Sequence, residues 1–155
     1  MGTQLLSLLA IQLTALSLVP AGAHLFELPH KIGLSAEAYL TVQSIYSGWA
    51  LFGFVWLSTL LAQLALLWRV RQVRRALRPA LAGTILLVLA FVVFFIWTFP
   101  ANQATANWTA LPAGWDSLRR EWEFSHAAGA LLIFGSLLMV TLASLRVPRQ
   151  QPDRC

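Results

Sequence analysis

The chain has 155 residues, of which 58% are hydrophobic and only 11% charged, and its mean hydropathy is +0.68. A soluble domain carries about 25% charged residues, so this chain lacks the charge to cover a water-facing surface. An ordinary cytosolic enzyme, a disordered chain and a nucleic-acid binder working by charge alone are excluded. The net charge of +5 belongs to ten arginines and one lysine, and their placement matters more than their sum. Arg69, Arg71, Arg74, Arg75 and Arg78 form one cluster, while Arg146, Arg149 and Arg154 lie in the tail. Both groups border apolar runs, as cytoplasmic anchors do beside membrane spans.

Crossing about 30 Å of hydrocarbon takes about 20 apolar residues. Four runs qualify, and together they predict a single all-α integral membrane domain over residues 1–155, a bundle of four transmembrane helices. Span one covers about 3–26 and carries no charge. Ala21-Gly22-Ala23 has the pattern of a signal-peptidase site, but no Lys or Arg precedes the run and it is long enough to span, so it is retained as a helix. Span two covers about 43–68, inside a charge-free stretch that starts at Tyr39. Between spans two and three the arginine cluster reads as a continued or short surface helix, with Val70, Val73 and Leu77 at helical spacing and anionic lipid as its contact. Span three covers about 80–99, with Pro100 ending it, and span four about 124–145. Short interfacial helices are expected in the outer loops. The positive-inside rule places the arginine loop, the tail and both termini in the cytoplasm, in what reads as a bacterial inner membrane.

Small residues four apart, Ser44 and Gly48, Ser58 and Ala62, Ser125 and Gly129, suit close helix packing. Trp68, Trp97, Trp108, Trp115 and Trp122 lie near span ends, where aromatic belts form, while Trp49 and Trp56 sit deeper. Cys155 is the single cysteine, so neither an intrachain disulfide nor a cysteine metal cluster is available. There is no phosphate-binding Gly loop, no Gly-x-Ser-x-Gly elbow and no Cys-x-x-Cys. Asn107-Trp108-Thr109 matches the short N-glycosylation pattern.

Reactive side chains collect on the outer side. His24 and Glu27 are three apart and share a helix face. His30 follows Pro29, beyond the expected helix end. Glu123 and His126 are three apart at the start of span four, and Gln43, Tyr46, Asn102, Gln103, Thr105 and Asn107 fall at the same level. Glu-x-x-His spacing directs two ligands toward one metal ion, so Fe, Mn, Cu or Zn is one possible occupant. Heme held by His24 and His126 is another. Without a cofactor, the same histidines are candidate general bases, with Glu123 or Glu27 orienting the imidazole. Asp116, Arg119, Arg120 and Glu121 read as a solvated, self-neutralised helix start.

Thr98-Phe99-Pro100-Ala101-Asn102-Gln103, followed by Trp115, Leu118-Arg119, Trp122-Glu123 and His126, resembles the anthrone-oxygenase-like family of small four-helix membrane proteins. Most bacterial members of that family are called domains of unknown function. The resemblance implies oxidation of anthrones to anthraquinones by oxygen, with no established requirement for a bound cofactor, and it matches Asn102, Arg119, Trp122 and His126 to the motif. His24, Glu27 and His30 fall outside that motif. Taken with the resemblance, the expected site is His126, Glu123, His24, Glu27, Asn102 and Arg120. A lipid-soluble phenolic would enter between helices, a histidine would remove its proton, and Arg120 and Asn102 would stabilise the enolate. The alternatives left open are a non-enzymatic membrane subunit or small-molecule binder, with a membrane protein as partner, and a metal- or heme-binding protein.

Overall fold

A computed structural model describes residues 2–147; Met1, Arg149, Arg154 and Cys155 fall outside it. The described chain is helical, with no strand. It forms α1 (Gly2–Lys31), α2 (Ala36–Gln43), α3 (Phe52–Val70), α4 (Arg74–Val93), α5 (Phe99–Ala104) and α6 (Trp115–Leu145). Four stretches are long and apolar enough to cross a membrane: Gly2–Lys31, Trp49–Val70, Arg74–Ala104 and Trp115–Leu145. Large apolar side chains such as Leu5, Phe54, Leu61, Ile85 and Leu131 lie exposed on these helices, as they must when lipid is the solvent. The fold is that of a multi-pass, four-helix membrane protein.

The element boundaries differ from the expected ones for local reasons. Span one continues through Pro29 to Lys31, which puts His30 inside the helix and exposed while Lys31 turns inward. Span two starts later than residue 43. Residues 36–43 form the separate helix α2, N-capped by Ser35, and tight turns at Ser44–Tyr46 and Trp49–Leu51 follow it. Gly48, at φ +84°, breaks the path between the two turns, a conformation that costs glycine little. The Ser44/Gly48 pair therefore packs no helices. Span three begins at Arg74, and Pro100 does not end it. A wide turn over Phe94–Thr98 carries the chain from α4 into α5, with the Phe99 N–H bonding the Phe94 carbonyl. Pro100 then sits in the first turn of α5, where its missing N–H matters least. Span four begins at Trp115, continuous with the stretch read as a solvated start. The arginine cluster spans the junction of α3 and α4 rather than forming a helix of its own: Arg69 lies in the last turn of α3, Arg71 in the tight turn, and Arg74, Arg75 and Arg78 open α4, with Val70 and Ala76 buried.

The bundle is held at three levels. At the arginine end, Ala10, Leu66, Val70, Ala76, Val140 and Ala143 pack together. Midway, Gln63 of α3 donates to Thr14 of α1 and Ser136 of α6, both at 2.9 Å, and Ser17 meets Thr59 at 2.8 Å. Such cross-helix bonds contribute about 0.6 kcal/mol each in lipid. At the far end, Tyr39, Ala101, Trp108 and Trp122 close the bundle. Helix α4 packs tightly on α6 at Gly83, where a Cβ would lie 2.9 Å from Val140 Cγ2 and 3.2 Å from the Ser136 carbonyl. Gly83→Leu is expected to lower stability by about 1–3 kcal/mol through overpacking, read as an earlier unfolding midpoint in detergent. Gly22→Leu, with nothing within 4 Å of its Cβ position, serves as the neutral control.

Candidate functional site

All five carboxylates of the described residues, Glu27, Glu37, Asp116, Glu121 and Glu123, lie at the end opposite the arginine turn, together with His24, Lys31 and His126. His24 of α1 and His126 of α6 are side by side, their ring centroids 4.3 Å apart. Trp122 lies 4.0 Å from the His126 ring and 4.8 Å from the His24 ring, and Tyr46 closes on His24 at 4.5 Å. His126 Nδ1 is 2.9 Å from the Trp122 carbonyl. A carbonyl only accepts, so Nδ1 carries the proton and Nε2 is left as the bare, basic nitrogen.

Asn102 of α5 faces the same space. Its Oδ1 accepts from the indole N–H of Trp122 at 2.7 Å and from that of Trp108 at 3.2 Å. Both oxygen lone pairs are thereby engaged, and the amide N–H groups remain for a ligand. The turn after α5 that delivers Trp108 holds Ala106, Asn107 and Trp108 at positive φ, with Asn107 of the glycosylation pattern exposed.

His24, His126 and Asn102 line a cavity of about 1100 Å³ that reaches all four long helices. Its other walls are mostly aromatic, among them Tyr46, Trp49, Trp56, Phe91, Phe94 and Trp122. Apolar, aromatic walls with a few convergent polar groups are the usual composition of a small-molecule site.

Glu123 and Glu27 do not orient the imidazoles. Glu123 is fully buried and turns away from His126 toward Lys31, whose Nζ is 3.1 Å from Glu123 Oε1. Tyr39 donates to the same oxygen at 2.9 Å, and Gln43 Nε2 donates to Tyr39 at 2.8 Å. Glu27 Oε2 accepts from Tyr46 and lies 3.7 Å from Lys31. It is 3.9 Å from His24 Nδ1, too far for a hydrogen bond, and that nitrogen has no partner. Lys31 also lies over the rings of Tyr46 and Trp122, at 4.5 and 4.8 Å. Burial, followed by the Glu123 carboxylate, pushes the Tyr39 phenol well above its usual range. Burial and the hydrogen bond to Glu27 do the same to Tyr46, so both hydroxyls stay protonated donors.

Arg120 is not part of this group. It points outward and pairs with Asp116 at 2.5 Å. Its neighbour Arg119 is the buried one, donating to the Leu34 carbonyl at 2.7 Å and to Asp116, with its guanidinium over Trp115. Sequence reasoning gave Lys31 and Tyr39 no role, and it left Arg119 off the expected site although the resemblance matched it to the motif. The signal for Arg119 was present in the spacing 119, 122, 123, 126, one face of a helix; Lys31 was hidden by reading Pro29 as a helix end.

Among the described residues no three His, Cys, Asp or Glu side chains are grouped to hold a metal ion, since Glu123 leaves His126. For heme, metal–nitrogen bonds of about 2 Å on either side of an iron would hold two imidazole centroids roughly 6 Å apart. At 4.3 Å, His24 and His126 do not leave that room.

Fold and site together define a multi-pass helical membrane protein with a ligand-sized cavity and an imidazole pair in its wall. No family model matches the chain, and no curated protein or solved structure matches it.

Proposed function

We propose that the protein is a cofactor-free oxidoreductase of the anthrone-oxygenase type, acting on a lipophilic aromatic substrate in the inner membrane of a bacterium. The observation that carries this reading is the imidazole pair on the wall of an aromatic cavity, with Asn102 beside it. His126 Nε2 removes a proton from the acidic CH₂ between two rings. The charge moves onto the ring carbonyl, where the Asn102 amide N–H groups stabilise it. Oxygen adds to the carbanion, forming a C–O bond, and the imidazolium protonates the peroxide. Loss of the second C–H proton and of hydroxide as water leaves the ketone, so CH₂ and O₂ become C=O and H₂O. The test is oxygen uptake and anthraquinone formation when purified protein in lipid nanodiscs receives an anthrone. No turnover above the spontaneous rate removes this reading.

A second reading, a binder of lipid-soluble aromatic molecules, is favoured by the same aromatic walls and predicts saturable binding without turnover. Either way, the arginine turn faces the cytoplasm with both termini, and the cavity faces outward. With Cys155→Ser as background, a membrane-impermeant maleimide on intact cells is expected to label Ala113→Cys and spare Arg75→Cys. The reverse pattern inverts the topology.

A further inference from the structure

The cavity is not closed toward the membrane. Gly53 and Leu57 of α3 line it, as do Phe95 in the wide turn after α4 and Phe99 at the start of α5. All four are exposed on the apolar surface of the bundle. Just below, Trp56 meets Phe91 and Phe94 edge-on, with centroids 5.2 and 5.7 Å apart, and this contact forms a sill. Two departures from regular helix open the gap above it. The α3 path is broken at Gly48 and the short turns before Phe52, and the α4 path widens over Phe94–Thr98. A Cβ on Gly53 would meet nothing within 4 Å.

The polar wall specifies one end of the occupant. Gln43 is 5% exposed, lines the cavity, and its Oε1 has no partner. The amide orientation is fixed: Tyr39 gives its proton to Glu123 and so accepts from Gln43 Nε2. Gln43 Oε1 can only accept, and a buried acceptor without a partner calls for a hydroxyl donor. From Asn102 down to Ala90 the lining follows α5 and α4 for about 18 Å at 1.5 Å per residue, and below the polar level it is apolar. The volume of about 1100 Å³ also slightly exceeds the usual range of pockets for compact drug-sized ligands, about 300–1,000 Å³.

We propose that the site takes a phenolic head carrying a long apolar tail, loaded from the bilayer through the window between α3 and α4, with the tail running out past Gly53 into lipid. This rests on reading the cavity as a ligand site and names the substrate class for it.

The probes are 2-nitro-4-decylphenol and 2-nitro-4-methylphenol, whose absorbance overlaps tryptophan emission; the saturable part of tryptophan quenching in nanodiscs reports binding. The parent is expected to bind the decyl probe at least about tenfold more tightly than the methyl probe, as burial of tail methylenes requires. Gly53→Phe fills the window without touching the polar wall. It is expected to weaken the decyl probe about tenfold and leave the methyl probe within about twofold. Equal affinities in the parent, or a decyl affinity unchanged by Gly53→Phe, overturn the window. Decyl-probe binding lost in Gly53→Phe from a protein that turns over no anthrone supports the window and removes only the oxygenase reading. Turnover of a tail-less anthrone with no tail selectivity in binding keeps the oxygenase and overturns the window.

Discussion

Replacing His126 with alanine is expected to lower anthrone turnover by about 10²–10⁴-fold, the usual contribution of a positioned general base. The assignment to His126 rather than His24 follows from hydrogen bonding. The Trp122 carbonyl fixes the His126 proton on Nδ1, so the base is Nε2 and its tautomer is set before substrate arrives. His24 Nδ1 has no such partner. His24 is instead packed among Tyr46, Trp49, Trp122 and His126, where it shapes the wall. His24→Phe is therefore expected to raise KM more than it lowers kcat, and His126→Ala to lower kcat with the smaller change in KM. Saturable probe binding should persist in His126→Ala, which separates lost chemistry from a lost fold. Equal turnover in parent and His126→Ala removes His126 as the base.

How much of this was legible in the sequence depends on the kind of interaction. The four spans follow from apolar run length alone, because lipid leaves backbone amides no other partners. Their ends do not follow so simply. Pro29 lies inside the helix that carries Lys31, and Pro100 sits after a widened turn that absorbs it. A proline signals a missing donor, and the neighbouring turn decides whether the helix stops. The gathering of acids and histidines at one end was also visible, since helices of similar length bring their ends to similar depths. The pairing among them was not. Glu123 and His126 are three residues apart on one helix, a spacing that permits a shared ligand, yet Glu123 turns to Lys31 and Tyr39 of other elements. Arg119 and Arg120 differ by one position, which is 100° of helix rotation, and that rotation buries one and exposes the other. A polar pocket at the outer helix ends was expected, but its depth and aromatic walls were not legible, because departures from regular helix at Gly48 and at Phe94–Thr98 contribute to them.

The second large effect concerns stability. Lys31 and Glu123 are 3% and 0% exposed, with Nζ to Oε1 at 3.1 Å. Taking both charges out of water costs several kcal/mol per ion, and their attraction offsets it only with further hydrogen bonds. Those are present on one oxygen only: Tyr39 donates to Oε1, while Oε2 has no partner. Lys31→Met should therefore lower the unfolding free energy by about 3–5 kcal/mol, because it strands a buried carboxylate. Glu123→Leu should cost less, because Lys31 keeps Glu27 at 3.7 Å and the Tyr46 hydroxyl at 3.1 Å. The double variant Lys31→Met/Glu123→Leu removes both charges together and should recover most of the loss, to within about 1–2 kcal/mol of the parent. Denaturant unfolding of the four proteins in one detergent, followed by tryptophan emission, measures the cycle. Strictly additive single losses would mean that the two groups do not share one desolvated site, and that Lys31 is held by Glu27 and the surrounding rings alone. Recovery in the double variant shows that Lys31 of α1 and Glu123 of α6 share one desolvated site, so that each charge is costly chiefly when the other is missing.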